Sequence, residues 1–80
     1  MLTMEQYEAL SEAEQADAVM QGNFLADREE NGLMVQLYSV GNFYCEVFYD
    51  PNAHKILRYR PFEGNQQLTP YLAHIRFNPR

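Results

Sequence analysis

Two neighbouring segments, Leu33 to Val40 and Phe43 to Tyr49, read as strands that are apolar on both faces, and this restricts the chain more than any other feature. In the first, Leu33, Val35 and Leu37 share one face and Met34, Tyr38 and Val40 the other. In the second, Phe43, Cys45, Val47 and Tyr49 share one face, while Tyr44 and Phe48 flank Glu46 on the other. A strand that meets water on one side alternates polar with apolar. These do not, so their sheet must be covered on both sides, by the rest of the chain or by another one.

The flanking sequence supplies candidates for that cover. Residues 3 to 21 have apolar positions Tyr7, Leu10, Ala13, Ala16, Val19 and Met20 at helical spacing. Thr3 with Gln6 and Ser11 with Glu14 both have capping-box spacing, which predicts either one helix kinked at Leu10–Ser11 or two short helices. Two is the preferred reading, because a serine inside a helix competes for backbone hydrogen bonds. Gly22 stops the helical segment.

From Phe24 the period changes to two. Phe24 to Glu29 forms a first strand, and Asn31-Gly32 is a type I′ hairpin signal. Leu33 to Val40, the Gly41-Asn42 turn, and Phe43 to Tyr49 follow. Asp50 to His54 is turn chemistry throughout, and Lys55 to Tyr59, extending to Phe62, is the fourth strand. After Glu63-Gly64-Asn65, Thr69 caps a short helix with Pro70 at its first position, running to Ile75, and Phe77 to Arg80 fray. The expected fold class is α+β: an N-terminal helical segment, a four-stranded antiparallel meander and a short C-terminal helix, in one domain over residues 1–80.

At 80 residues, a folded chain buries only about 60–65% of the surface its unfolded form exposes. The single cysteine excludes an intrachain disulfide, so stability must come from packing, a metal or a partner. Met1 to Gln6 lack a signal-peptide pattern and no apolar run is long enough to span a bilayer. The free thiol then points to the cytoplasm.

The net charge of −5 hides an asymmetry. Residues 1–30 carry eight acidic side chains against Arg28 alone, whereas residues 54–80 carry Lys55, Arg58, Arg60, Arg76 and Arg80 against Glu63. The two ends can dock on one another, within a subunit or across two. The acidic helical run could mimic a polyanion, but such a run is ordinarily a solvated face.

Few residues offer chemistry. Cys45, with His54 or His74 as base, lies mid-strand among apolar neighbours where a thiol acts as a small hydrophobe. Asp50, Asn52 and His54 suggest a metal loop, but Lys55 and Pro61 stand where calcium binding needs glycine and glutamate, and the two histidines lack zinc spacing. No glycine-rich phosphate loop occurs. Glu46 is the informative charge. Counted from the Asp50–Lys55 turn it falls roughly opposite Arg58, as an ion pair across strands. Unpaired among Tyr44, Phe48 and Tyr59, it would instead be a candidate acid, base or cation ligand.

The leading expectation is a non-catalytic interaction domain without cofactor or metal. It forms a homodimer, with Leu33, Val35, Leu37, Tyr44 and Phe48 at the interface, or docks another protein through the same sheet face. The alternative is a small-ligand site or modest enzyme centred on Glu46, with Tyr44, Tyr59 and Arg58. Neither a membrane nor a nucleic acid is an expected partner. Arg58-Tyr59-Arg60 has the basic-aromatic composition of a single-strand platform, but the pI of about 4.8 opposes it. Fluorescence anisotropy with a generic oligonucleotide at low salt is expected to show no saturable binding.

Overall fold

The computed structural model describes residues 1–65 and 68–72. The N-terminal segment is two helices, α1 (Met4–Glu8) and α2 (Glu12–Met20). Both capping boxes are closed. The Thr3 hydroxyl accepts from Gln6 N and the Gln6 side chain from Thr3 N, and Ser11 and Glu14 repeat the exchange. A second cap inside the segment is what breaks one helix into two, since Ser11 is held in extended backbone by its own reciprocal bonds.

Four strands follow as an antiparallel meander in the order β1-β2-β3-β4: β1 (Asn23–Glu30), β2 (Leu33–Val40), β3 (Phe43–Asp50) and β4 (Lys55–Phe62). The Asn31-Gly32 turn has positive φ at both residues, 52° and 84°, as its sequence predicts. Asp50 Oδ1 accepts from Asn52 N and Ala53 N, which tightens the turn into β4. The last described element, α3 (Thr69–Leu72), begins at Thr69 itself, one residue before the expected Pro70. The expected continuation to Ile75 and the fraying of Phe77 to Arg80 lie outside the described residues.

Both faces of the sheet are occupied. On one, α1 and α2 set Tyr7 and Val19 against Val40, Phe43, Cys45 and Val47. On the other, Tyr71 of α3 and Phe62 pack with Leu37, with Ala26, Tyr44 and Leu68 around them. The helix side and the α3 side of the sheet are thus two small cores sharing one set of strands.

The edge strands each carry a β-bulge. Leu25 is the extra residue of β1, between Phe24↔Tyr38 and Ala26↔Leu37. Leu57 is the extra residue of β4, between Tyr49↔Ile56 and Phe48↔Arg58. The second bulge decides what meets Glu46. Without it, the ladder starting at Asp50↔Lys55 would set Tyr59 opposite Glu46. The extra residue advances β4 by one, so Arg60 faces Glu46 and Tyr59 faces Val47.

Gly41 ties the N-terminus to the sheet. Its φ is 55°, and an added Cβ would lie 2.1 Å from the Leu2 carbonyl oxygen, which also accepts from Asn42 N at 3.3 Å. Gly32 has positive φ too, but nothing within 4 Å of a Cβ position. Gly41→Ala is therefore expected to cost roughly 2–4 kcal/mol, left-handed strain plus overpacking, and Gly32→Ala only about 1–2 kcal/mol. Urea unfolding of the two variants measures the difference.

Candidate functional site

Glu46 is the one charged residue in the middle of β3, and it is fully buried on the α3 side. A carboxylate taken out of water is strongly destabilised unless its oxygens are hydrogen-bonded and its charge is paired. Both conditions are met. Arg60 Nε donates to Oε1 at 2.8 Å, and Arg60 Nη2 donates to the same oxygen. Arg28 Nη2 donates to Oε2 at 3.1 Å and the Tyr71 hydroxyl to Oε2 at 2.6 Å. One carboxylate thereby joins β1, β3, β4 and α3. Arg28 also pairs with Glu30 two residues along its own strand.

Sheet register explains how the partners arrive. Ala26, Leu37, Glu46 and Arg60 form one row across the four strands, and Arg28, Val35, Phe48 and Arg58 the next. Arg60 reaches Glu46 along its own row, while Arg28 reaches it diagonally over Leu37 and Val35. The expected Glu46–Arg58 pair is not formed. Arg58 lies instead over the Phe48 ring, 4.2 Å from its centroid. Arg28 similarly covers the Tyr71 ring at 5.3 Å and Arg60 the Phe62 ring at 5.6 Å.

The cluster's protonation follows from these contacts. Burial pushes the Glu46 carboxyl up, but the hydrogen bonds from Tyr71, Arg28 and Arg60, with the charge of Arg60, outweigh it and hold the group below the usual carboxylate range. Burial and the bond to Glu46 raise the Tyr71 phenol. The assembly is an ionised carboxylate with both oxygens engaged, which leaves it no open side from which to take a proton or bind a cation.

The other expected site residues do not assemble. Tyr44 stays on the Glu46 side and stacks on Phe62 at 5.5 Å, but Tyr59 lies on the opposite side of the sheet beside Val47. Glu46, Tyr44 and Tyr59 therefore line no common pocket. Val35, Leu37 and Phe48, expected at an interface, are buried within the chain, and Leu33 and Tyr44 are half-buried. Among the described residues Tyr71, Phe62 and Leu68 pack on this side with Leu37 and Tyr44, and the guanidinium of Arg58 lies over Phe48. Arg58 and Arg60 were alternatively expected to meet the acidic N-terminal region. Among the described residues the ion pairs are Arg28–Glu30, Arg28–Glu46 and Arg60–Glu46, and none involves a helix.

Cys45 is buried on the helix side, 3.7 Å from the Tyr7 hydroxyl, and burial pushes its thiol up, away from the reactive thiolate. Among the described residues no group of three His, Cys, Asp or Glu side chains could hold a metal ion, and no helix is long and apolar enough to cross a membrane.

Sequence reasoning missed Arg28, Arg60 and Tyr71 as partners of Glu46. Arg28 carried a signal: it is the only cation among eight acidic residues in the first thirty.

Glu46→Ala leaves Arg28 with Glu30 alone and removes the acceptor of Arg60 and Tyr71, and is expected to cost about 2–3 kcal/mol, against about 1 kcal/mol or less for Arg58→Ala, which loses one ring contact. The folded-state pKa of Glu46 lies below its unfolded value, so its contribution is full above the usual carboxylate range and is lost as pH falls through the folded value. Urea unfolding from neutral pH downward is expected to show that loss in the wild type and a flatter acid limb in Glu46→Gln.

No protein-family model, curated protein or solved structure matches this chain.

Proposed function

We propose that this chain is a non-catalytic protein-interaction domain that makes its contacts through the edges of its sheet. The observation that carries the reading is the placement of exposed apolar side chains. Phe24 and Leu25 on β1 are 52% and 45% exposed, and Ile56 and Leu57 on β4 are 43% and 46% exposed. Single exposed apolar residues are ordinary on a protein surface. Apart from Met1 and Met20 in the N-terminal segment, those among the described residues occur as adjacent pairs, one on each edge strand, and each pair sits at the bulge.

An edge strand presents unpaired N–H and C=O groups and so is a natural template for another strand. Over the central strands the described residues leave no comparable surface, because α1 and α2 cover one face and Tyr71 with Phe62 the other. A homodimer through Leu33, Val35, Leu37, Tyr44 and Phe48 would have to open the second core first. A catalytic reading finds little support in a carboxylate whose oxygens are fully engaged and a thiol held protonated.

The test is a photoreactive residue introduced at position 25 or 57, with position 52 in the exposed Asp50–Lys55 turn as control. Discrete protein adducts from 25 or 57 and none from 52 are expected in cells producing the variants. Absence of adducts from both edges, with the fold intact by circular dichroism, would overturn the reading.

A further inference from the structure

We infer that the outer edge of β4 receives an extended peptide segment of another protein in which acidic residues alternate with apolar ones. This deepens the interaction-domain reading and rests on it. Four observations about β4 lead there.

β4 is a terminal strand, and α3 packs near β1 at the far side of the sheet. Its outer hydrogen-bonding groups are unpaired among the described residues. Pro61 has no N–H to offer, so the segment available to an added strand is Lys55 to Arg60.

The two faces of that segment differ in chemistry. Register sets Lys55, Arg58 and Arg60 on the α3 side, opposite Asp50, Phe48 and Glu46, and sets Ile56 and Tyr59 on the helix side, opposite Tyr49 and Val47. A strand paired with β4 places its own side chains directly beside these, alternately on the two faces. Carboxylates suit the α3 side and apolar groups the helix side.

The helix side has a receptacle for those apolar groups. A groove lined by Glu12 and Gln15 of α2 and by Ile56, Leu57, Arg58 and Tyr59 runs beside the strand. Glu12 and Arg58 both line it, so it is the apolar wall of Ile56, Leu57 and Tyr59 that favours one of the two possible phases of the incoming strand.

A second copy of the chain is a poor occupant. Antiparallel pairing of β4 with β4 about a two-fold axis keeps the faces matched and sets Lys55, Arg58 and Arg60 of both copies on the same side, where like charges repel. Antiparallel pairing with β1 is no better. It places Asp27 and Glu29 on the helix side with Ile56 and Tyr59, and Arg28 on the side of the β4 arginines. Two of the three acidic residues of β1 thus lie on the wrong face, and the third, Glu30, is already paired with Arg28.

The experiment titrates the full chain with a blocked synthetic peptide of alternating glutamate and valine, matched in length to Lys55–Arg60, and follows backbone amide shifts. Saturable shifts centred on Ile56 to Tyr59, with slowed amide exchange along β4, are expected. A peptide with lysine for glutamate should bind about tenfold more weakly, and the order should reverse in the Lys55→Glu/Arg58→Glu variant. That reversal is a result which loss of the Arg58–Phe48 contact alone cannot give. Equal binding of a shuffled peptide of the same composition, or competition by an oligonucleotide, would mean simple polyanion attraction and overturn the inference. Self-association through β4 without peptide would overturn it in favour of a second copy. Failure here alongside position-57 adducts leaves the interaction-domain reading standing with a different partner chemistry, whereas failure of both removes it.

Discussion

Everything on the α3 side of this sheet depends on one carboxylate. Glu46 stands where an apolar residue would be the simpler choice, in a row with Ala26 and Leu37. Replacing such a group by a well-packed hydrophobe is often neutral in energy, so its presence is better explained by what it arranges than by net stability. It fixes two arginines and a tyrosine drawn from three different elements. An apolar side chain at that point would fill the same space without selecting a position for Tyr71 or a direction for Arg28.

The arginines resolve the difficulty posed by a hairpin that is apolar on both faces. The four described residues of α3 are too few to roof the α3 side alone. Arg28, Arg58 and Arg60 complete the roof, each laid over an aromatic ring and two of them anchored on Glu46. Arginine suits this position because its planar guanidinium lies over an aromatic ring and, for Arg28 and Arg60, still donates to Glu46.

Much of the architecture was legible because it rests on local chemistry. Thr3/Gln6 and Ser11/Glu14 announce two helix starts, Asn31-Gly32 announces a turn with two positive φ angles, and the strands follow from alternation between turns. What escaped is non-local. Nothing near Leu57 marks it as a bulge, yet that single extra residue changes the partner of Glu46 and moves Tyr59 to the other side of the sheet. Reading arginines only as charges hid their role as cover, and so made an internal face look like an external one. Tyr71, in a helix expected only to be short, could not be assigned to Glu46 without knowing where α3 crosses.

The meander has a consequence for how the chain acquires its structure. Each strand pairs with the next in sequence, so the sheet can form by closing short loops, the kinetically quick route. The contacts of Glu46 with Arg28 and Tyr71 are of another kind, reaching beyond the neighbouring strands. They can close only after β1, β3 and β4 are in register, which makes the docking of α3 a late event in assembly. By the same logic it is an early event in disassembly: a partial opening that releases Tyr71 can leave the sheet and its N-terminal helices standing, so the chain has a built-in seam between a fast-forming body and a slower clasp.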